Sequence, residues 1–522
     1  MTSVEPRVVV VGGGPVGLSA ALLLSRRGIP CTVVEQDAQP STHPKARGIR
    51  TRTMELLTQW GIADEVRREA LPAEASRFIY CDSLVGAEVA RSPQVEAGEH
   101  ASLASDCRLA QNALHSILLK HVTALPRVNY RPGVGVAHVK SNDDGVVLDC
   151  QDGSSVCADY VIAADGVAST VRSELGIEFD GDAVLGYGQS VFWRGDLHRW
   201  VHDRLCIQFI TGDRTGHPAN IASVDGRHYW VTMVMQPGTV ERPTPPTQAE
   251  ARDIIRHAVG EQIEPEILDI ATWRISALVA RQWRVGRVFL AGDAAHSFPP
   301  TGGFGMNTGI QDVHNLVWKL ALVMGGAAGD ALLDTYEHER KQIAESNAAW
   351  SRANGVRFRS ISRAIANGDD ADLARLIEDQ RHHVDATDQD LGFGYAKGAF
   401  LLDTSDLVGS ALTTALPGHR FPECRLRSAT GATVSSVQTF DDGFYIVATE
   451  PLIWRHPAFQ AVQRFGLPIE ILGVISGADQ PDPLGGHDAA IVRPDGIVAW
   501  IGNLGARSAD EVLEVVLSSV LS

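Results

Sequence analysis

The chain has 522 residues, 46 of them basic and 63 acidic, for a formal net charge of −17 at pH 7 with neutral histidines. That balance, with no long basic run set against it, argues against a nucleic-acid partner, and no uninterrupted apolar stretch approaches the length of a membrane span. Seven scattered cysteines (Cys31, Cys81, Cys107, Cys150, Cys157, Cys206 and Cys424) form no CxxC pair and the histidines show no ligand spacing, so neither a disulfide frame nor a metal site is expected.

The length exceeds one typical core, so two or three domains are expected. The N-terminus runs almost directly into a strand and leaves no room for a signal peptide, which predicts a cytoplasmic protein. That strand is Arg7-Val8-Val9-Val10-Val11, and the Ala- and Leu-rich stretch from Leu18 to Arg27 suits a helix. Between them lies Gly12-Gly13-Gly14-Pro15-Val16-Gly17, so that strand, Gly-rich turn and helix read as a dinucleotide-binding fingerprint. Gly12 suits the tight turn, Gly14 the close approach of backbone to a pyrophosphate, and Gly17 the packing of helix on strand. The anion would sit on the unpaired amides of the helix N-terminus. A second apolar strand, Cys31-Thr32-Val33-Val34, ends at Glu35 and Gln36, where an acid that bonds a ribose hydroxyl should fall. A carboxylate there favours an unphosphorylated ribose, hence FAD or NAD over NADP.

Further along, Gln111 to His121 predicts a helix and Val146 to Val156 a hairpin region. The apolar strand ending in Ala163-Ala164 breaks into a turn at Asp165-Gly166. From 179 to 284 the pattern changes to longer runs, including Ser190-Val191-Phe192-Trp193, Leu205 to Ile210 and Tyr229 to Val234, whose period-two alternation predicts a sheet. Such a sheet could cover a bound cofactor, with Trp193, Phe209 and Trp230 as candidate walls of a substrate cavity. Arg287 to Leu290 returns to the nucleotide layer and ends in Gly292-Asp293, followed by Pro299-Pro300-Thr301-Gly302-Gly303-Phe304-Gly305-Met306-Asn307. Long helical runs fill Gly309 to Val356, and a charged stretch from Asn367 to Gln389 links helices. Beyond Ala399 come strands at Gly443 to Ala448 and within Ala489 to Trp500, and a terminal helix from Ser508 to Leu521. The division expected is 1–178 and 285–398 for the nucleotide layer, 179–284 for the sheet and 399–522 for a third unit.

The three Gly- and Asp-bearing turns, in this order and spacing from Arg7 to about Glu339, resemble those of the FAD-dependent aromatic hydroxylases, the single-component flavin monooxygenases of the p-hydroxybenzoate hydroxylase and phenol hydroxylase type. The resemblance implies an α/β fold: a Rossmann-like FAD-binding domain, an inserted β-sheet substrate domain and a C-terminal thioredoxin-like domain that lacks redox cysteines. By position, Gly12, Gly14, Pro15, Val16 and Gly17 would hold the ADP part of FAD, with Glu35 and Gln36 at its ribose. Asp165 and Gly166 would touch both FAD and the nicotinamide cofactor, and Gly292 and Asp293 the ribityl chain. Pro300, Gly303, Gly305, Met306 and Asn307 would face the flavin ring. Arg47, in Pro44-Lys45-Ala46-Arg47-Gly48, and Gln111 match two further flavin contacts, and Arg47 and Pro300 are the candidate catalytic positions.

The activity so implied is hydroxylation of a phenolic or polyketide-type aromatic ring with NADPH or NADH and O2, through a flavin hydroperoxide. The alternatives are Baeyer–Villiger-type insertion beside a polyketide ketone, and a flavoprotein dehydrogenase without oxygen activation. No second GxGxxG marks a separate nicotinamide domain, as the family would have it. Phe304, where many relatives carry Gln, and the C-terminal unit are similar to the dichlorophenol hydroxylases and to hydroxylases that tailor bacterial aromatic polyketides. The C-terminal unit is expected to serve packing or dimer contact, leaving a monomer or a homodimer. A phenol reacts once its hydroxyl has lost a proton, so a base or relay is expected; His43, His296 and Tyr187 are candidates between which the sequence does not choose.

Overall fold

Val8–Val11 is a strand of four valines, buried throughout and flanked by two parallel neighbours, Cys31–Glu35 and Tyr160–Ala163. Continuous apolar character of that kind belongs to a central parallel strand covered on both faces. The computed structural model describes residues 7–94, 102–402, 410–475, 477 and 480–522. The nucleotide sheet has the order Arg284–Val285, Val288–Leu290, Tyr160–Ala163, Val8–Val11, Cys31–Glu35, Val128–Pro132, with only the first of these antiparallel to its neighbour. Helix Pro15–Arg26 packs between helices Gln111–Thr123 and Gly305–Met324 on one side of it.

The register decides where a ligand can go. Val11 lies level with Val34 and with Ala163, and Ala163 with Leu290, so four parallel strands end along one edge. The fingerprint turn, Glu35, Asp165 and Asp293 all emerge there, at the carboxyl ends where open α/β sheets bind ligands.

The second sheet has eight strands, in the order His296–Ser297, Glu266–Ala280, Phe179–Arg194, Tyr229–Pro237, Ala219–Ser223, Gln208–Thr211, Phe78–Cys81, Glu88–Arg91. It is not confined to 179–284. Phe78–Cys81 pairs in parallel with Gln208–Thr211, and His296–Ser297 pairs with the end of Glu266–Ala280, so both halves of the nucleotide layer lend it strands. The strand expected from Leu205 begins at Gln208. Helix Gln248–Val259, opened by a Thr247/Glu250 capping box and ended by Gly260, covers one face of this sheet.

The helical run expected from Gly309 to Val356 is two helices, Gly305–Met324 and Ala331–Asn367, parted at Gly325-Gly326. The charged stretch after them is itself helical over Asp370–Asp379, Arg381–Val384 and Thr387–Asp390. Asp369 caps the first of these, and Leu373 and Leu376 on one face dock onto Phe78 and Tyr80.

In the C-terminal unit Phe444–Ala448 and Ile469–Val474 run parallel across helix Arg455–Phe465, and Ala489–Val492 and Val498–Gly502 add antiparallel. With the terminal helix Ala509–Leu521, capped by Ser508 and Glu511, this is the βαβ–ββα order of a thioredoxin-like unit. Its one cysteine, Cys424, is buried, and burial pushes the thiol up to about 12, so it is inert. The unit is locked to the nucleotide layer by a buried knot of charge. Arg493 donates to Glu339 and to Asp495, Lys319 Nζ donates to Glu339 Oε2 at 2.8 Å, and Asn315 bridges Glu339 and Asp495. Partnered charges satisfied this fully hold a specific docking geometry, whereas removal of one partner would strand the others.

Candidate functional site

At the nucleotide end the three fingerprint glycines have three different environments. Gly12 has φ +102°, and a Cβ there would lie 2.3 Å from the Ala164 carbonyl oxygen. A Cβ on Gly17 would lie 1.9 Å from the Gly12 carbonyl oxygen. In front of Gly14, by contrast, no protein atom comes within 4 Å. Gly14 is the N-cap of Pro15–Arg26 and no side chain claims the first amides of that helix, while Pro15 has no amide to satisfy. Val16 is the spacer between turns: a Cβ on Gly309 would meet its Cγ2 at 2.6 Å, and one on Gly292 (φ +60°) at 3.1 Å. Glycine at both places brings the third turn against the first.

Beside the fingerprint lies a groove lined by Gly13, Glu35, His43, Gln111, His115 and Tyr130 among others. The Glu35 carboxylate accepts from the amides of Gly13 (2.6 Å) and Asp37 (2.8 Å), which fixes its orientation along the groove. Gln36 follows it, exposed. Gln111 donates its amide to the Ala46 carbonyl (2.7 Å) and accepts from the Ala46 amide at its side chain (3.4 Å), tying helix Gln111–Thr123 to the segment that carries Arg47.

Along the same edge, Asp165 accepts from the Val171 amide at Oδ2 (3.2 Å), its Oδ1 is buried without a partner, and burial raises its pKa. Gly166 (φ +79°) has open space before it. Asp293 is ringed by protein, and burial raises its carboxyl against the pull of His296 and Lys45; yet its surface stays open, as on the wall of a channel. The turn Pro300–Gly302, with Pro300 exposed at its start, ends on Gly303 at φ +66°. Asn307 clasps this loop: its Nδ2 donates to Gly303 O (2.7 Å) and to Gly48 O (3.0 Å), and its Oδ1 accepts from the Arg50 amide (2.9 Å). Arg50 Nη2 donates to Gly302 O (2.5 Å), with its guanidinium over the Phe304 ring. Gly303 and Gly305 present open fronts, the nearest atoms to a Cβ being 3.9 and 3.8 Å away, and half-buried Met306 follows on the first turn of helix Gly305–Met324, which no side chain caps.

Arg47 follows Ala46 on the segment that Gln111 holds. Its Nε is buried without a partner, its terminal nitrogens rest 4.0 Å from Met233 Sδ, and burial lowers it to about 10. A buried cation without a counter-charge is costly unless something polar or anionic meets it. The fit to FAD is therefore good along its length: open glycine fronts at Gly14, Gly166, Gly303 and Gly305, uncapped helix amides at both ends, an unpartnered Asp165 oxygen and an unmatched guanidinium.

The eight-stranded sheet places the three expected wall residues in its core. Trp193, Phe209 and Trp230 are fully buried in the closed core against helix Gln248–Val259, with the Trp193 indole N–H donating to Thr232 Oγ1 (2.9 Å) and that of Trp230 to Gly195 O (2.9 Å). Their side chains are part of that core. Side chains alternate across a strand, and the opposite face carries Phe192, Ala222, Val231 and Met233, with Met233 under Arg47. Of the candidate bases, His296 is a packed core group: it donates to Asp312 Oδ2 (2.7 Å), stacks on Phe298, and Arg340 shares the same carboxylate. Burial pushes Asp312 up, but His296 and Arg340 outweigh it and its pKa is lowered. Tyr187 is buried in strand Phe179–Arg194, level with Gln236 and Arg274. His43 sits on the Phe192 face, bonded to Asp269 and Ser190.

Among the described residues no group of three or more His, Cys, Asp or Glu could hold a metal, and no helix is long and apolar enough to cross a membrane. Arg50, the Asn307 clasp and the His43 contacts were not anticipated. Nothing in the local sequence marks a contact to a strand or loop more than 140 residues away.

Residues 5–351 match the family model of the FAD binding domain, and residues 414–522 that of the aromatic-ring hydroxylase C-terminal domain. The chain is 34% identical over 563 aligned residues to aklavinone 12-hydroxylase RdmE of Streptomyces purpurascens, covering 100% of both. It is 33% identical to 4-methyl-5-nitrocatechol 5-monooxygenase of a Burkholderia species, over 99% of this chain and 98% of that one. Among solved structures it resembles the flavin-dependent monooxygenase PieE in complex with FAD and substrate (TM-score 0.89, 27% identity, 100% of both chains). It also resembles aklavinone-11 hydroxylase with FAD and aklavinone (TM-score 0.85, 31% identity, 100% of both chains). With turns that fit FAD from end to end and full-length likeness to such enzymes, the chain belongs to the FAD-dependent aromatic-ring hydroxylases, a family of flavin monooxygenases.

Proposed function

We propose that the chain hydroxylates a phenolic ring, of polyketide type or smaller, lying on the Phe192–Met233 face of the substrate sheet beside Arg47. The observation that carries this reading is the half-buried Arg47 guanidinium, its Nε buried without a partner, against an apolar wall, a setting that suits an aromatic ring bearing an oxygen anion. The names of relatives that act on aklavinone or on a nitrocatechol support it. When bound, FAD supplies the two electrons taken from NAD(P)H and the reaction with O2 that delivers one oxygen atom.

The chain's own residues do the rest. The first-turn amides of Pro15–Arg26 hold the pyrophosphate, Glu35 the adenosine ribose and Asp293 the ribityl chain, while Asp165 and Gly166 lie where cofactor and nicotinamide would meet. The Asn307 clasp holds the amides from Gly303 to Met306 in place as dipoles toward negative charge on the ring system. Pro300 stiffens the entry to that loop, and the apolar wall excludes water. The reading takes NADPH, or NADH, as reductant, places the enzyme in the cytoplasm with those pools, and has it work as a monomer or a homodimer.

The test is a panel of phenols, catechols and hydroxyanthraquinones, scored for NADPH and NADH consumption and hydrogen peroxide release, with product mass under ¹⁸O₂. One compound class should raise consumption several-fold and gain a single labelled ring hydroxyl. A lactone product would replace the reading with Baeyer–Villiger chemistry, and a panel without oxygen uptake would replace it with a dehydrogenase.

A further inference from the structure

His43 is held between two strands of the substrate sheet. Its Nδ1–H donates to Asp269 Oδ2 at 2.8 Å, and Ser190 Oγ–H donates to its Nε2 at 2.9 Å. A carboxylate only accepts, so the bond to Asp269 puts the ring proton on Nδ1 and leaves Nε2 as the acceptor.

The three groups lie on one face of the sheet. Ser190 is paired across the sheet with Met233, the residue under Arg47, and Asp269 with Phe192, so all of them share the face assigned above to the ring. Ser190 is 4% exposed and His43 7%, whereas the Asp269 side chain is 44% exposed. A file of hydrogen bonds therefore runs from beside Arg47 to solvent. The groups that act on His43 electrostatically are Asp269 on the sheet and Lys45 and Arg47 on its own segment. Burial, the largest influence, and the two cations lower its pKa against Asp269, so the imidazole is neutral at pH 7 and free to accept.

We propose that Ser190, His43 and Asp269 form a proton exit for the substrate hydroxyl bound beside Arg47, an assignment that rests on the phenolic reading of the pocket. The phenol O–H passes its proton to Ser190 Oγ as Ser190 passes its own to His43 Nε2. The proton on Nδ1 moves to Asp269 and on to water, and the phenolate stays paired with Arg47. One proton leaves and no electrons move; after product release the relay resets as a proton returns from water through Asp269 to Nδ1 while the Nε2 proton passes back through Ser190 to water admitted to the emptied site.

The test uses the oxidised FAD-loaded enzyme without NAD(P)H, mixed rapidly with alizarin, a dihydroxyanthraquinone whose absorbance moves to longer wavelength on losing a proton. The native protein is expected to ionise it at about pH 5, where free alizarin still holds its proton, with a solvent deuterium isotope effect. His43→Gln, which can still bridge Ser190 and Asp269 but cannot shuttle a proton, should slow ionisation by about a hundredfold at unchanged alizarin affinity. Added imidazole should restore part of the rate. Ser190→Ala, which removes one hydroxyl and perturbs packing least, should slow it by about tenfold. Ionisation at the native rate in Ser190→Ala, or in a folded, FAD-loaded His43→Gln, overturns the relay and leaves the phenolic reading standing. Alizarin that leaves the flavin spectrum untouched overturns the phenolic reading of this pocket, and the relay with it.

Discussion

Two alanine substitutions three residues apart in the chain should fail in opposite ways. At Gly17 a Cβ would sit 1.9 Å from the Gly12 carbonyl oxygen, well inside contact distance, so the helix must move off the strand. Overpacking of that kind costs about 1–3 kcal/mol, and the damage falls on the fold itself. At Gly14 no protein atom lies within 4 Å of the added carbon, and the backbone, at φ −70° and ψ 178°, suits any residue. Replacing Gly there lowers the entropy of the unfolded chain, which stabilises by about 0.4–1 kcal/mol, and weakens an N-cap by a similar amount, so the flavin-free protein should melt within about 1 kcal/mol of native. The methyl group occupies the space where the pyrophosphate meets the helix amides, however, and loss of one charge-assisted hydrogen bond costs about 1.5–3 kcal/mol. The assay is a pair of measurements on flavin-stripped protein: the urea midpoint, and FAD affinity by flavin fluorescence quenching. Gly14→Ala is expected to keep the midpoint and weaken FAD binding by roughly ten- to a hundredfold, while Gly17→Ala lowers the midpoint. A Gly14→Ala protein as unstable as Gly17→Ala, with FAD affinity intact, would refute the assignment of the two glycines.

Glu35→Ala should weaken FAD retention by about 1–3 kcal/mol, read as flavin lost on gel filtration; full loading would remove Glu35 from the ribose site. Arg493→Met leaves the Glu339 and Asp495 carboxylates buried without their shared partner and should cost about 3–5 kcal/mol, with faster limited proteolysis of the C-terminal unit; a native urea midpoint would show that the knot does not hold the domains together. In acid, Glu339 and Asp312 set the sign. Burial pushes both up, but Arg493 and Lys319 outweigh it for Glu339, and His296 and Arg340 for Asp312, so both folded pKa values are lowered. The stability they provide is complete above about pH 4.5 and is lost as pH falls toward their depressed values, so melting temperatures should drop steeply below that pH, and a flat profile down to pH 3 would contradict the assignment.

The nucleotide end was legible in the sequence because its physics is local. A turn with positive φ at Gly12, a carbonyl against Gly17 and an acid at the end of the next strand each demand a residue type at a fixed spacing. The substrate face was not, although its strands were. Alternation separates Trp193 from Phe192, but which of the two meets the helix Gln248–Val259 depends on how the sheet is placed, and the bulky indoles went to the closed core. Two strands of that sheet, Phe78–Cys81 and Glu88–Arg91, were missed: the first pairs with Gln208–Thr211 about 130 residues away, and the second joins the sheet only through the first. The contacts of Arg50 with Gly302 and of His43 with Asp269 reach over 252 and 226 residues. No local pattern encodes such partners; they follow from the register of strands whose ends share one edge.

The most direct test of the cradle as a whole is the identity and amount of flavin released from gently purified protein. A groove at Glu35 for adenosine, helix amides for pyrophosphate and a clasped loop for the ring predict intact FAD at about one per chain. Release of FMN, or a colourless protein that takes up no FAD, would contradict the convergence of the three turns on one cofactor.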